Sequence, residues 1–259
     1  MELFFILLFY IIYMKQCIVI IPIYQKTKLN KYERMSIINT IDKFNNIFDI
    51  VFITGKSFDL DKFYEENDID NKYKIDYIYF LDDNFKDVDS YNRLLLSESF
   101  YLTFENYKYM LIVQTDAYIF NQYKIFDFIN KEYNFIGAPV VIPDHEKLFY
   151  WFKRGIYYNG GLSLRNIQFC IDCLNDKKYV DDFFKYNQND EDILYSSYEQ
   201  ELYKSPTYIE ALQFSIDNQI NLYAPILNFE TPFGTHHFYN DDDNQNNKLQ
   251  YIKDLKWID

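Results

Sequence analysis

An aspartate follows a short, unbroken apolar run in the middle of the chain. The run covers residues 110–113, and Asp116 comes after it, separated by Gln114 and Thr115. Such a run is typical of a strand buried on both faces, as in the centre of a parallel sheet. Ligands of open α/β sheets bind at the carboxyl ends of the strands. A metal ion or a sugar hydroxyl would pair with a carboxylate there, whereas in the alternative Asp116 caps the next helix or turn.

A pair of glycines could shape a ligand site in the second half of the chain. Gly160 and Gly161 follow Asn159 and precede a short apolar segment that ends at Arg165. Paired glycines allow positive φ angles and let the backbone approach a ligand closely. An ordinary hairpin or the entry to a helix has the same pattern, so both interpretations stay open.

Three consecutive acidic residues open a predicted helix over residues 193–198. They are Asp190, Glu191 and Asp192. Acidic residues at a helix start are usually caps and partners of the helix dipole. The triplet alone therefore does not indicate acid–base chemistry.

Two of the three histidines, His236 and His237, are adjacent. Neighbouring side chains on a strand point in opposite directions, so at most one of the two is expected to join a given site. The third, His145, lies in a predicted loop without an evident partner, and we expect it at the surface.

The elements that must position these residues alternate between strands and helices. Strands are predicted over residues 17–24, 49–55, 73–81 and 110–113, and helices over residues 29–44 and 90–104. This alternation implies parallel pairing through right-handed crossovers, so the first part of the chain is predicted to be Rossmann-like. Further along, residues 135–139 are predicted as a strand that leads into a turn, and residues 166–174 and 211–216 as helices.

Composition limits the class of protein. A chain of 259 residues suits one α/β domain. The net charge of −13 argues against nonspecific binding to nucleic acid or to an anionic membrane, although a local site for an anionic donor remains compatible with it. The 27 Tyr and 25 Phe suggest a coding bias as much as a function, so single aromatic residues carry little weight.

The cysteines do not form the pattern of a disulfide framework, because Cys17, Cys170 and Cys173 are few and odd in number. The CxxC pair lacks a second pair or a nearby histidine that would complete a zinc site. We therefore predict core cysteines carried on a helix, with metal or redox use as the alternative.

The N-terminus begins with an apolar stretch over residues 3–14. It is shorter than the roughly 20 residues of a full membrane span, and it lacks the basic region of a signal peptide. An upstream extension, with Met14 as the natural start of a cytoplasmic chain, is the first interpretation. A short membrane anchor, giving membrane contact through residues 3–14, is the second.

The sequence lacks the characteristic motifs of several common enzyme classes. No glycine-rich phosphate fingerprint follows the first strand, where residues 23–26 read Ile-Tyr-Gln-Lys. This disfavours a dinucleotide dehydrogenase, and the absence of GxxxxGK[ST] and GxSxG sequences disfavours a P-loop enzyme and the simplest hydrolases.

Five short motifs occur together in one order. They are Ile-Pro-Ile-Tyr at 21–24, Gln-Thr-Asp-Ala at 114–117, Gly-Ala-Pro at 137–139, Asn-Gly-Gly-Leu-Ser-Leu-Arg at 159–165 and Glu-Asp at 191–192. This order resembles the GT-A type of nucleotide-sugar glycosyltransferase. It resembles more closely a poorly characterised bacterial and viral family of glycosyltransferase-like proteins.

The resemblance implies an α/β, GT-A-like fold with a Rossmann-like, mostly parallel central sheet flanked by helices. It implies one glycosyltransferase-like domain over residues 15–259, after the extension 1–14. Within it, the nucleotide-binding part would cover about 15–120 and the acceptor part about 121–240. The donor would be a nucleotide-sugar, and the acceptor a glycan or a lipid-linked or protein-linked glycoconjugate.

For the donor site, the resemblance implies contacts from Asp116, Gln114, Tyr24 and Arg93. GT-A enzymes hold a divalent cation with a DxD motif at the end of a central strand, and here Tyr118 replaces the second aspartate. Asp116 with His237 or His236 would hold Mn²⁺ or Mg²⁺. In the alternative, Arg93 or Arg165 neutralises the diphosphate.

For the acceptor side, the resemblance implies that Asp192 first, and Glu191 second, takes the proton of the acceptor hydroxyl in an inverting enzyme. A retaining enzyme would need neither acid as a base. Asn159, Gly160, Gly161 and Arg165 would shape the sugar or acceptor pocket.

Two other functions remain open from the sequence. The incomplete DxD motif is compatible with a non-catalytic protein that binds a carbohydrate or a nucleotide on the same fold. A nucleotidyltransferase is the third candidate, although the first strand lacks a glycine-rich, basic loop.

Overall fold

The computed structural model describes residues 15–69, 73, 75–142, 155–186, 190–198, 204–217, 219–239 and 247–258. The N-terminal apolar stretch and His145 lie outside the described residues. Among the helices of the described part of the chain, none has the length and apolar character needed to cross a membrane.

The strands and helices alternate over most of the described chain. The strands are β1 (Lys15–Pro22), β2 (Asp49–Gly55), β3 (Ile75–Phe80), β4 (Tyr107–Val113), β5 (Tyr118–Ile119), β6 (Phe135–Val141), β7 (Ile156–Asn166), β8 (Ser215–Ile216) and β9 (Gly234–Thr235). The helices are α1 (Lys31–Phe44), α2 (Leu60–Asn67), α3 (Val88–Leu95), α4 (Glu98–Leu102), α5 (Ile125–Asn130), α6 (Ile167–Asn175), α7 (Lys177–Tyr186), α8 (Glu191–Ser197), α9 (Tyr208–Phe214), α10 (Ile220–Tyr223) and α11 (Asn247–Asp254).

Six strands form the central sheet in the order β3-β2-β1-β4-β7-β6. The first four strands are parallel to one another, whereas β7 is antiparallel to both β4 and β6. The predicted mixed α/β class, with a mostly parallel sheet flanked by helices, is confirmed. The strand order reverses between β1 and β4, and ligands of open α/β sheets bind outside the carboxyl ends at such a switch point.

The apolar runs form strands because the sheet buries them on both faces. Ile20 of β1 and Ile112 of β4 are fully buried and lie opposite each other in register. The following helix begins where the sequence supplies a cap. The Asn30 side chain accepts hydrogen bonds from two helix N–H groups, and the Glu33 carboxylate accepts one from the Asn30 N–H.

Several predicted element boundaries are wrong. The helix predicted over residues 90–104 is divided into α3 and α4. The strand predicted over residues 135–139 continues to Val141, so Pro139 lies inside β6 and no turn follows it directly. Proline is tolerated there because β6 is at the edge of the sheet, where one side of the strand needs no ladder partner. The helix predicted over residues 211–216 ends at Phe214, and β8 follows it at once.

A small second sheet extends the fold next to the switch point. Its order is β5-β9-β8, with β9 antiparallel to β5 and parallel to β8. A second apolar cluster packs against this sheet and includes Phe120, Phe238, Ile252 and Trp257. This packing holds helix α11 next to β9, the strand that precedes the two histidines.

The cysteine prediction is confirmed for the helix-borne pair. Cys170 and Cys173 lie on α6, and both are buried and free, as is Cys17. Burial raises the pKa of the Cys170 thiol to about 12, so the neutral thiol predominates at physiological pH.

Candidate functional site

The loop that carries Asp116 is fixed by helix α1. The Ser36 hydroxyl donates to the Ala117 carbonyl at 2.5 Å. The Asn39 side chain accepts from the Ile119 N–H at 2.9 Å and donates to its carbonyl at 3.1 Å. These bonds hold the chain that leaves β4, so Asp116 is placed at the carboxyl edge of the sheet.

Both histidines face this aspartate, which corrects the expectation that only one would. His236 follows β9 directly, and His237 has a positive φ of 48°. That turn ends the strand alternation, so the two rings lie together with centroids 3.8 Å apart. The next residue, Phe238, donates its N–H to the Asp116 carbonyl at 3.0 Å. A non-glycine residue in this backbone region is strained and often marks a functional site.

Each oxygen of the Asp116 carboxylate contacts one histidine. Oδ1 lies 3.2 Å from His236 Nε2, and Oδ2 lies 2.5 Å from His237 Nδ1. Burial alone would raise the pKa of Asp116, but hydrogen bonds and charge from the two histidines hold this pKa well below its usual range. Gln114 also reaches the site, with its Oε1 3.2 Å from His236 Nε2.

A second aspartate and a lysine lie behind the histidine pair. Asp217 Oδ1 is 3.4 Å from His236 Nδ1, so the buried His236 ring lies between two carboxylates. Burial opposes the charged ring, yet Asp116 and Asp217 raise the pKa of His236 to about 9. The Lys248 ammonium donates to the backbone carbonyls of Asp217, His236 and His237. Burial lowers the pKa of Lys248 to about 8, against the charges of the two aspartates.

The donor atoms of Asp116, His236 and His237 fit a divalent cation. One carboxylate oxygen and one ring nitrogen from each histidine all lie within 4.8 Å of one another. A mixed oxygen and nitrogen set suits Mn²⁺ better than Mg²⁺, which strongly prefers oxygen ligands. Asp217 lies on the opposite side of the His236 ring, in the usual position of a carboxylate that orients a metal-binding histidine.

The glycine pair lies in a bulge of β7 next to this cluster. Pairing with β6 passes from Ser163 directly to Asn159, so residues 160–162 have no partner on that side. On the other side, the Gly161 carbonyl accepts from the Gln114 N–H at 2.8 Å. The bulge therefore directs both glycines toward the end of β4.

The glycines are required for close packing of side chains rather than for positive φ. Among the described glycines, only Gly155 has a positive φ. A Cβ on Gly161 would lie 2.1 Å from His236 Nε2, and a Cβ on Gly160 would lie 2.6 Å from Glu191 Oε1. The pair thus brings the histidine cluster and the acidic start of α8 to one place.

Arg165 is enclosed in the core and does not face an open pocket. Its Nη2 donates to Glu191 Oε1 at 2.7 Å, and its Nη1 donates to the Tyr101 hydroxyl at 3.2 Å. The guanidinium carbon lies 5.0 Å from the centre of the Phe135 ring. Arg165 is fully buried and Glu191 is 4% exposed, so the two charges compensate each other inside the protein.

Asp192 occupies the first turn of α8, beside the same glycine. The Cβ position of Gly160 is 3.4 Å from the Asp192 Cβ. Asp192 is half-buried. Burial, followed by the charges of Glu191 and Asp190, raises the pKa of Asp192 well above its ordinary value. A carboxyl group with a raised pKa is a better proton acceptor near neutral pH than an ordinary aspartate.

Tyr24 links the two halves of the site. It follows β1 at the switch point and is half-buried. Burial raises the pKa of its hydroxyl, and the charges of Asp116 and Glu191 raise it further.

Asn159 stabilises the glycine bulge, because its Oδ1 accepts a hydrogen bond from the Gly161 N–H at 2.8 Å.

The structure does not bring Arg93, a predicted donor contact, or Tyr118, at the second DxD position, into the cluster of Asp116, His236 and His237. Arg93 is exposed on α3, and its charge acts on Asp87 at the start of that helix. Tyr118 packs its ring against Phe120 and Phe238, so position 118 faces the second apolar cluster. A second aspartate of a DxD motif would therefore face the second apolar cluster in this chain.

Sequence reasoning missed Asp217 and Lys248. A weak signal existed for Asp217, because it directly follows the sequence Phe-Ser-Ile at residues 214–216, in which two of the three residues are apolar. Lys248 carried no such signal. It follows the polar stretch over residues 240–247 and meets the site only through tertiary packing.

A family model described as a protein of unknown function, DUF5672, matches residues 74–236, which is more than half of the chain. The chain belongs to the DUF5672 family. In this member, the matched region includes Asp116, the glycine pair, Glu191 and Asp192, and it ends at His236. No curated protein matches the chain.

Solved structures similar to this DUF5672 protein include glycosyltransferases of the GT-A type. Mouse xyloside xylosyltransferase 1, in its apo form, has a TM-score of 0.54 at 9% identity, over 89% of this chain and 98% of that chain. Core-mannan synthase A from Aspergillus fumigatus, in a Mn/GDP form, has a TM-score of 0.49 at 12% identity, over 70% and 68%. The mannosyltransferase Ktr4p from S. cerevisiae, in complex with GDP, has a TM-score of 0.49 at 10% identity, over 70% and 66%. The chain thus spans about two thirds of the length of the fungal enzymes. At these low identities, the similarity to solved structures is a similarity of fold.

A Gly161→Ala substitution should disturb the DUF5672 site directly. The new methyl group would meet the His236 ring, which is buried and held between two aspartates. We expect the free energy of unfolding to fall by about 1–3 kcal/mol, as for other overpacked positions. Chemical denaturation of the wild-type protein and of Gly161→Ala measures this effect.

The same substitution in a His236→Ala background serves as the control. Without the ring, the methyl group has room, so Gly161→Ala should cost clearly less there. An equal loss in the two backgrounds would contradict the contact between Gly161 and His236.

Proposed function

We propose that this protein is a glycosyltransferase that uses a nucleotide-sugar donor and a divalent cation, with Mn²⁺ favoured. The observation that carries the proposal is the Asp116, His236 and His237 cluster at the switch point of a GT-A-like sheet. The acceptor class is a glycan or a glycoconjugate. In this proposal, residues 15–120 form the nucleotide-binding part and residues 121–240 the acceptor part.

The donor diphosphate would lie at the carboxyl ends of β1 and β4. Asp116, His236 and His237 would hold the cation, which when bound neutralises the charge that develops on the diphosphate as the sugar leaves. Gln114 and Tyr24 would contact the donor from the ends of these two strands. Arg93 is exposed on α3, so we do not include it among the proposed donor contacts.

Asp192 would accept the proton of the acceptor hydroxyl on its carboxylate. Its half-buried position beside Gly160 and its raised pKa support this role. Such a base corresponds to inversion at the anomeric carbon. Glu191 would position the start of α8 instead, because its Oε1 is bound to Arg165.

Thermal-shift measurement with UDP-, GDP-, CMP- and dTDP-sugars, with and without Mn²⁺, tests the proposal. A ligand at one hundred times its Kd stabilises the folded state by about 2.7 kcal/mol, so one nucleotide class should raise Tm, and only with Mn²⁺ present. Release of nucleotide from that sugar would then show turnover. Binding without any turnover would favour a non-catalytic binding protein, and no binding by any member of the screen would contradict the proposal.

A further inference from the structure

Lys248 is fastened to the histidine cluster from outside the matched region. It lies on α11, and the DUF5672 match ends at residue 236. Its Nζ donates to the Asp217 carbonyl at 2.5 Å and to the His236 carbonyl at 2.9 Å, and it also donates to the His237 carbonyl. An ammonium group has three N–H donors, so all three are used on these carbonyls.

The three carbonyls belong to the two segments that carry the site. Asp217 follows β8, whereas His236 and His237 follow β9. The two segments also meet through the contact between Asp217 Oδ1 and His236 Nδ1. One ammonium group therefore ties together the residue that orients the His236 ring and the backbone of both histidines.

The backbone at this point needs such support. His237 has a positive φ, and a side-chain-bearing residue keeps that conformation only when its surroundings impose it. The turn at His237 is what brings the second ring to Asp116. Helix α11 is anchored in the second apolar cluster, because Ile252 on the helix and Trp257 just after it are buried there.

We propose that Lys248 is a positioning residue that holds the two-histidine turn in the geometry that binds the metal ion, and that metal binding is consequently coupled to the docking of α11. This inference rests on the proposed metal site and adds a residue and a helix to it. Coupling between two sites is reciprocal, so a bound cation must also stabilise the contact made by α11.

Lys248→Met tests the role of the three hydrogen bonds, because methionine keeps an unbranched apolar stem and removes the ammonium group. Lys253→Met is the matched control on the exposed side of the same helix. Direct titration with Mn²⁺, read by the electron paramagnetic resonance of the free ion, should show affinity about 10–100-fold weaker for Lys248→Met. Lys253→Met should bind as the wild-type protein does, and wild-type affinity in folded Lys248→Met would overturn the proposal.

Hydrogen exchange of the wild-type protein provides a test without any variant. Addition of Mn²⁺ to the metal-free protein should slow amide exchange in residues 247–254 as well as around His236. Unchanged exchange in α11 on saturation with Mn²⁺ would overturn the coupling, even if Lys248→Met fails to fold.

The two proposals fail in different ways. If the wild-type protein binds no Mn²⁺, the role of Lys248 and the metal part of the proposed function are both wrong. If Mn²⁺ binding and its coupling to α11 are present but no nucleotide-sugar binds, the inference about Lys248 stands and the proposed transferase activity does not.

Discussion

An Asp116→Asn variant should lose Mn²⁺-dependent binding of the nucleotide-sugar and should transfer sugar at least about 100-fold more slowly than the wild-type protein. The substitution removes the negative charge that lies between the His236 and His237 rings. Loss of one group that stabilises developing charge typically costs about 10²–10³ in kcat. Initial rates of transfer, with Mn²⁺ titrated into both proteins, measure the effect.

Folding must be measured in the same variant, because the Asp116 carboxylate also contacts the His236 and His237 rings. Loss of these contacts should lower the free energy of unfolding by about 1–3 kcal/mol. Asp182→Asn, at an exposed position on α7, is the control for the loss of a carboxylate outside the cluster of Asp116, His236 and His237. Near-wild-type transfer by a folded Asp116→Asn protein would remove Asp116 from the mechanism.

An Asp192→Asn variant should lose about 10²–10⁴ in kcat while it still binds the nucleotide-sugar and Mn²⁺. The reason is that the amide cannot accept the proton of the acceptor hydroxyl, and general bases contribute a factor of this size. Asp190, two residues earlier, is exposed and its side chain makes no capping hydrogen bond, so Asp190→Asn is the matched control and should stay active.

The pH dependence of Asp192 gives a second readout. Because its pKa is raised above 3.8, the folded state holds this proton more tightly than the unfolded chain does. The free energy of unfolding therefore falls as pH rises from the ordinary value through the raised pKa, and asparagine should abolish that loss. The acid limb of the wild-type rate profile should likewise lie above the ordinary aspartate range and disappear in Asp192→Asn. Unchanged kcat, or a variant markedly less stable at neutral pH, would contradict the assignment.

The sheet could be predicted because its signal is local. Residues 110–113 and 49–55 are apolar runs of strand length, and both became buried parallel strands. A carboxylate after the central strand is visible in the same way, so Asp116 could be proposed as a ligand before any geometry was known. The role of the glycine pair could be predicted only in part. Close approach was expected, but the atoms that approach include the His236 ring.

The remainder of the site depends on tertiary contacts. Alternation along a strand separates neighbouring side chains, and only the left-handed turn at His237 brings both rings to Asp116. Asp217 and Lys248 join the cluster from segments distant in sequence. Spacing alone can also mislead. Position 118 has the spacing of the second aspartate of a DxD motif, but Tyr118 packs into the second apolar cluster. Arg165 is a further example, because a guanidinium that seemed available for a ligand is the partner of Glu191.

The most direct test of the central claim is the anomalous scattering of Mn²⁺ in crystals grown with the nucleotide-sugar identified by the thermal-shift screen. The proposed site predicts one strong peak within ligand distance of Asp116, His236 and His237, next to the bound nucleotide-sugar. Nucleotide-sugar bound without a peak at these three residues, or a peak coordinated elsewhere, would contradict the claim.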